Sequence, residues 1–377
     1  MYSDKDLAIY VHWPYCSRIC PYCDFNVYKG RRNESLVKAV CDDLSGWRSW
    51  IGPRQVRSIH FGGGTPSLLY ADDLNRVINR ITSLWSTASK CEIALEANPN
   101  DADRWRAYQS TGLNRFSLGI QTFNNEGLKF LGRDHDGKTA RSSLAMVMDI
   151  FPSVSIDLIF GWCGQTADIL RNDLCTAMEY LPHHISTYQL TIEPGTAFGR
   201  ALERGSLHAL DPDMSADFYD HVVAHLTHAG YDHYEVSNFA RPDHKSRHNM
   251  ACWTGMDYVG VGPGAHGRIT RDGHRYTTVA ELRPGGYITR VGQTGFGIYE
   301  KRRLSRTEQA SEYLLMGLRI SDGISVERFE RLGGHLNPDI LKELAEGNFI
   351  EISGDKLSAT TGGRRVLDKI IEKLLID

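Results

Sequence analysis

The sequence predicts an α/β protein: a partial (β/α)6 barrel of the TIM type, followed by a smaller C-terminal α+β module that resembles a winged helix. Three observations predict it. Six short apolar runs alternate with amphipathic helical stretches through about the first 190 residues, the pattern of parallel strands joined by right-handed crossovers. The notable polar residues fall at or just beyond the C-terminal ends of those runs, and six contributing strands favour a barrel rim over the single crevice of an open sheet. From about Lys301 the alternation gives way to helices followed by one small hairpin.

The first strand is read at residues 7–11, directly before a loop carrying three cysteines. Asn33 then caps a helix whose Leu36, Val37, Val40, Leu44 and Trp47 recur at helical spacing. A second strand, 56–61, ends in Gly62-Gly63-Gly64-Thr65-Pro66, and Leu74, Val77, Ile78, Ile81 and Trp85 mark the helix face after it. Strands at 91–96, 115–120, 154–160 and 184–190 complete the set, with a helix at 170–181 before the last. A loop rich in Gly, Pro and Glu leads to a helix at 213–229. Residues 231–299, rich in Gly, His and aromatics, read as short strands and loops. Helical patterns at 307–318, 325–332 and 340–345, a hairpin turning at Gly354-Asp355 and a final helix at 363–375 close the chain. The expected segments are 1–230 for the core, 231–300 for an extension and 301–377 for the C-terminal module.

A chain of 377 residues, 41% hydrophobic and 24% charged, has the make-up of an ordinary globular protein with a sizeable core. A net charge of −3 gives no general attraction for nucleic acid or anionic membranes. The N-terminus lacks a basic stretch followed by an apolar one, so no signal peptide is expected. No apolar run nears the ~20 residues of a membrane span. Eight cysteines, three of them in one motif, indicate metal chemistry in a reducing compartment, not a disulfide framework. A cytoplasmic protein is expected.

The motif is Cys16-Ser17-Arg18-Ile19-Cys20-Pro21-Tyr22-Cys23, a C-x-x-x-C-x-x-C spacing. Cysteine thiolates hold iron–sulfur clusters, and a [4Fe–4S] cube takes four ligands. Three cysteines leave one iron open. The competing reading is a closed zinc site, which needs a fourth ligand from His12 or Asp24. The stretch resembles the radical S-adenosylmethionine (SAM) enzymes, in which SAM chelates the open iron. That resemblance implies that Cys16, Cys20 and Cys23 hold the cluster and that Tyr22 lies near the adenine. The glycine triplet allows close approach of a ligand to the main chain, and its exposed amides and carbonyls are expected to bind the amino-acid end of SAM. Glu96 is expected to accept hydrogen bonds from a ribose. Gln121, Arg133 and Asp157 follow on later strand ends, where a capping or solvated polar residue is the alternative.

A narrower resemblance covers the whole chain. Tyr10-Val11-His12-Trp13-Pro14-Tyr15-Cys16, the GGGTP loop, Ser117-Leu118-Gly119-Ile120-Gln121-Thr122-Phe123 and Asp157-Leu158-Ile159-Phe160-Gly161 resemble the oxygen-independent coproporphyrinogen III oxidase group. The resemblance assigns Tyr10, Gly63, Gly64, Thr65 and Glu96 to SAM, and Gln121, Arg133 and Asp157 to a second small-molecule pocket. Trp162-Cys163 stands where that group usually has Leu-Pro. The true oxidases, HemN, carry a further cysteine two residues after the third, where this chain has Phe25, and a longer N-terminal arm. The haem-chaperone branch, HemW, has Cys-Asp-Phe, a His-Asn-x-x-Tyr-Trp motif and a glycine-rich run ending Ala-His-Gly. Here these read Cys23-Asp24-Phe25, His248-Asn249-Met250-Ala251-Cys252-Trp253, and Gly260 to Gly267. The resemblance therefore implies a haem chaperone binding a [4Fe–4S] cluster, SAM and haem, with His248 the first candidate for the iron and Cys252 the second. The alternative is oxidative decarboxylation of a porphyrinogen. The implied partners are haem and a haem-accepting protein, with no nucleic acid; a peripheral membrane encounter through the acceptor and a homodimer stay open.

Overall fold

The computed structural model describes residues 5–375; residues 1–4 and 376–377, the ends of the first and third expected segments, lie outside the described residues. Alternation within each strand sets the architecture. In β1 (Asp6–Trp13) the residues Leu7, Ile9, Val11 and Trp13 enter the main core, while Tyr10 and His12 belong to the opposite face. The same split recurs in β2 (Gln55–Gly63), β3 (Ser86–Ala97), β4 (Arg115–Gln121), β5 (Val154–Phe160) and β6 (His184–Gln189). These six strands pair in parallel and in chain order.

Helices α1 (Glu34–Ile51), α2 (Ala71–Leu84), α3 (Gly137–Ile150), α4 (Ala167–Tyr180) and α5 (Pro212–His228) cover one face. Asn33 caps α1 by accepting the Leu36 N–H at 3.1 Å, and Leu36, Val40, Leu44 and Trp47 pack with Leu7, Ile9, Ile59 and Phe61. Each such fully buried side chain contributes about 1.5–3 kcal/mol. The β3–β4 connection, where the alternation predicts an amphipathic helix, is a 3-10 helix, Pro99–Thr111, with a polar, weakly periodic sequence. The other face carries Ser58, His60, Glu96, Ser117, Asp157 and Ser186, a polar interior of the kind that a partial barrel presents to ligands.

Residues 231–300 extend the core's own sheet on both edges. On the β6 side, β7 (Asp232–Glu235) and β8 (Asn238–Ala240) pair antiparallel. On the β1 side, β9 (Tyr258–Val261) pairs parallel to β1, with Ala8 opposite Tyr258. Then β10 (His266–Arg271), β11 (His274–Ala280) and β12 (Ile298–Arg303) follow antiparallel, making twelve strands in the order β12-β11-β10-β9-β1-β2-β3-β4-β5-β6-β8-β7. The short helix α6 (Arg247–Trp253) lies against the inner face: Ala251 packs with Ala8, and the Glu92 carboxylate accepts the Arg247 and His248 amides at 3.1 Å. A carboxylate there complements the positive end of the helix.

The C-terminal module has its own core of Leu314, Leu318, Phe329, Ile350, Leu357 and Ile370 beneath a three-stranded antiparallel sheet. Its hairpin, Ile350–Ser353 and Lys356–Ala359, turns at Gly354. Arg319 ties it to the barrel through fully buried Glu235, at 2.7 and 2.8 Å. No helix among the described residues is long and apolar enough to cross a membrane.

Candidate functional site

The cysteine loop is pinned at both ends. Tyr15-Cys16 pairs in parallel with Tyr28-Lys29, and the Gly30 amide donates to the Cys16 carbonyl at 3.0 Å. Between them the Cys23 amide donates to the Cys20 carbonyl at 3.1 Å, a tight turn within the motif. Cys16 is buried, and Cys20 and Cys23 are half-buried. Burial, with the Cys20 and Cys16 thiols adding to it, pushes Cys23 up to about 11; burial and Cys20 likewise raise Cys16. A bound cation would invert that balance and deprotonate the thiols. The zinc alternative loses its ligands. Both His12 nitrogens are engaged, Nδ1 with the Tyr10 hydroxyl at 3.1 Å and Nε2 with the Asn26 carbonyl at 3.0 Å. Asp24 is exposed. Among the described residues no three His, Cys, Asp or Glu side chains stand close enough for a single ion, the three cysteines of this loop included.

The glycine triplet crosses directly beside this loop. A Cβ on Gly62 would sit 2.9 Å from both the Glu96 carboxylate and the Tyr10 ring, and Gly63 has φ 107° with its Cβ position 2.5 Å from the His12 ring. The positive φ makes glycine the fitting residue at Gly63, while a Cβ at Gly62 would have to displace the ends of the Glu96 and Tyr10 side chains. The expectation that this loop offers free amides is corrected here. Gly63 donates to Glu96 Oε2 at 3.2 Å, Gly64 to the Trp13 carbonyl at 2.7 Å and Thr65 to the Tyr15 carbonyl at 2.9 Å. The loop folds back on β1 and the start of the cysteine loop, and its amides are spent there. The Thr65 hydroxyl accepts from Asn98 at 3.3 Å and bonds to Cys16.

Glu96 lies against the glycine loop, 38% exposed, with His60 Nε2 on Oε1 at 2.8 Å. Arg133 sits nearer the cysteines than its assignment to a second pocket suggests: its guanidinium donates to Cys20 Sγ at 3.4 Å, Asn98 Oδ1 at 2.5 Å and the Gly119 carbonyl at 3.0 Å. Its Nε, and Gln121 Oε1, are buried and have no hydrogen-bond partner among the described residues. Gln121 itself has φ 68°, an uncommon conformation for its type. Asp157 receives the Ser117 hydroxyl at 3.3 Å, and burial, with Glu96 adding to it, lifts its carboxyl to about 6. Tyr22 packs against Leu131, Ile159 and Trp162. The departure at Trp162-Cys163 is absorbed locally, Trp162 turning inward against Phe130 and leaving Cys163 exposed.

His248 stands apart from the cysteines. Its ring is 7% exposed, stacked on His60 at 4.7 Å and near Tyr10 at 5.9 Å, with Nδ1 at 3.3 Å from Ser58 Oγ. The structure therefore does not present it to a ligand; an iron reaches it only if this stack opens. Burial, with His60 second, holds its pKa well below the usual histidine range. Cys252, half-buried on the same helix, is pushed up to about 12 by burial. Sequence reasoning missed His60. It occupies the same face as Gly62, two residues before the triplet, and that period-two placement was the available signal.

An open barrel with three cysteines on the loop after β1 and a glycine-lined β2 end is the architecture of a radical SAM protein. Residues 10–174 match the Radical SAM superfamily and residues 304–366 the HemN C-terminal domain. Over 378 residues the chain is 33% identical to the heme chaperone HemW of Bacillus subtilis, covering 98% of this chain and 99% of that one. It is 34% identical to the mitochondrial radical S-adenosyl methionine domain-containing protein 1 of Bos taurus, covering 98% and 87%. The chain belongs to the HemW family of HemN-like radical SAM proteins. Its fold matches the solved coproporphyrinogen III oxidase HemN of Escherichia coli with a TM-score of 0.82, at 23% identity over 99% of this chain and 91% of that one.

Proposed function

We propose that this protein is a haem chaperone: its core binds a [4Fe–4S] cluster and SAM, and the molecule carries haem to an acceptor protein. The observation that carries this reading is the whole-chain relation to haem chaperones, which spans barrel, extension and C-terminal module alike. Cys16, Cys20 and Cys23 would hold the cluster, with Arg133 offsetting negative charge at Cys20. When bound, the cluster supplies an open iron for SAM and one-electron reducing power. Glu96 accepts the ribose hydroxyls, Tyr10 and the Gly63–Thr65 loop wall the same space, and Gln121 Oε1 offers an unused acceptor. Asp157 adds a carboxyl whose raised pKa suits hydrogen bonding to a polar ligand near neutrality. Phe25, 63% exposed, occupies the position where the oxidases carry their further cysteine. Haem titrated into the cluster-loaded protein tests the reading. A saturable Soret band approaching one haem per chain is expected, and no saturable band would overturn it.

A further inference from the structure

We propose that His60 is the positioning residue of the SAM site, and that His248 acts on that site through it. The inference rests on the reading of Glu96 as the ribose acceptor. A carboxylate only accepts hydrogen bonds, so His60 carries its proton on Nε2 and donates it to Glu96 Oε1 at 2.8 Å. Oε2 takes the Gly63 amide at 3.2 Å. Together the two donors fix the plane of a carboxylate that is otherwise 38% exposed and free to rotate. His60 is fixed in turn by its faces. Tyr10 lies at 6.1 Å and 21° on it, and His248 at 4.7 Å and 17°. His248 comes from a helix whose start is clamped by Glu92.

A second observation separates this role from packing. His60 Nδ1 is buried and has no partner among the described residues. A bare buried acceptor is destabilising, so an apolar ring of the same size would suit the stack better. The imidazole is explained by what its Nε2 does for Glu96. The arrangement also links α6, which bears the His-Asn-x-x-x-Trp motif, to SAM affinity: anything that draws His248 away loosens His60 and weakens SAM, and SAM resists that movement to the same degree.

The experiment is SAM affinity by equilibrium dialysis on protein matched for iron and sulfide content, with apo-protein melting recorded alongside. His60→Phe is expected to weaken SAM about tenfold while its melting temperature holds or rises. His60→Gln, which keeps a donor near the Nε2 position, should recover most of the affinity. Adding His60→Phe to Glu96→Gln should cost little beyond Glu96→Gln alone. Wild-type affinity in His60→Phe overturns the proposal, as do losses that multiply in the double variant, or a His60→Phe melting temperature that falls with affinity. His248→Ala should weaken SAM several-fold and leave the haem Soret band in place. A lost band with SAM affinity unchanged assigns that imidazole to iron and overturns its positioning role. A wild type that holds a full cluster and binds no SAM defeats the SAM reading itself, a result distinct from all of these.

Discussion

Removing the Arg319 guanidinium with Arg319→Met tests how the C-terminal module is held. Glu235 is fully buried, and Arg319 reaches it with Nε at 2.8 Å and Nη2 at 2.7 Å. Its remaining partners are the Ser237 amide at 3.0 Å and the Asn238 side chain at 2.5 Å. Breaking a buried ion pair from one side costs about 3–5 kcal/mol. Arg319 is itself 29% exposed, so water replaces part of its role and lowers that figure. The guanidinium also lies 4.9 Å over the Trp253 ring, worth about 0.5–1 kcal/mol at a partly exposed site. The net expectation is a loss of about 2–3 kcal/mol in the first urea transition, followed by tryptophan fluorescence. Arg319→Met with Glu235→Leu removes the stranded charge and should recover more than half of the loss. A single variant within about 0.5 kcal/mol of wild type, or a double variant less stable than the single, would refute the reasoning.

Serine at Cys16, Cys20 or Cys23 should abolish the iron and sulfide retained after anaerobic reconstitution, whereas serine at Cys41, Cys91, Cys163 or Cys175 should leave both intact; a full complement in Cys20→Ser would break the cluster assignment. Asp157 has a pKa raised to about 6 by burial and by Glu96, above the unfolded value of about 3.9. The ionised form is therefore destabilising: the penalty is absent below about pH 4, grows through pH 6 and is complete above it. Asp157→Asn should stabilise by about 3 kcal/mol at pH 8 and by nothing at pH 4, read from melting curves; equal gains at both would contradict the burial argument. The C-terminal module should show no tight, salt-sensitive binding to duplex DNA in fluorescence anisotropy, because Arg302, Lys342, Lys369 and Lys373 are paired with Glu308, Glu346, Glu372 and Glu343.

The barrel strands were legible because each buries one face under helices, so apolar residues mark them: the strand read at 154–160 is Val154–Phe160, and 115–120 gains only Gln121. Residues 86–90 of β3 were invisible, being polar and mostly exposed. The pairing of β9 with β1 joins Ala8 to Tyr258 across the length of the chain, and no local pattern encodes such a partner. The place of the cysteine loop directly after β1 was legible from the apolar run that precedes it. The amides of the glycine loop were misjudged because what satisfies them, the Trp13 and Tyr15 carbonyls, depends on how two loops cross. His248 was legible as a residue of note, but its depth behind His60 follows from α6 lying on the inner face of the sheet, which periodicity does not report.

The most direct measurement of the central claim sets haem retention against turnover in one preparation. Cluster-loaded protein with SAM and a low-potential reductant is given coproporphyrinogen III under anaerobic conditions, while a parallel aliquot is titrated with haem. The account predicts a stable haem complex and no decarboxylated product above the protein-free control. Robust conversion of coproporphyrinogen III, with no saturable haem binding, would contradict it.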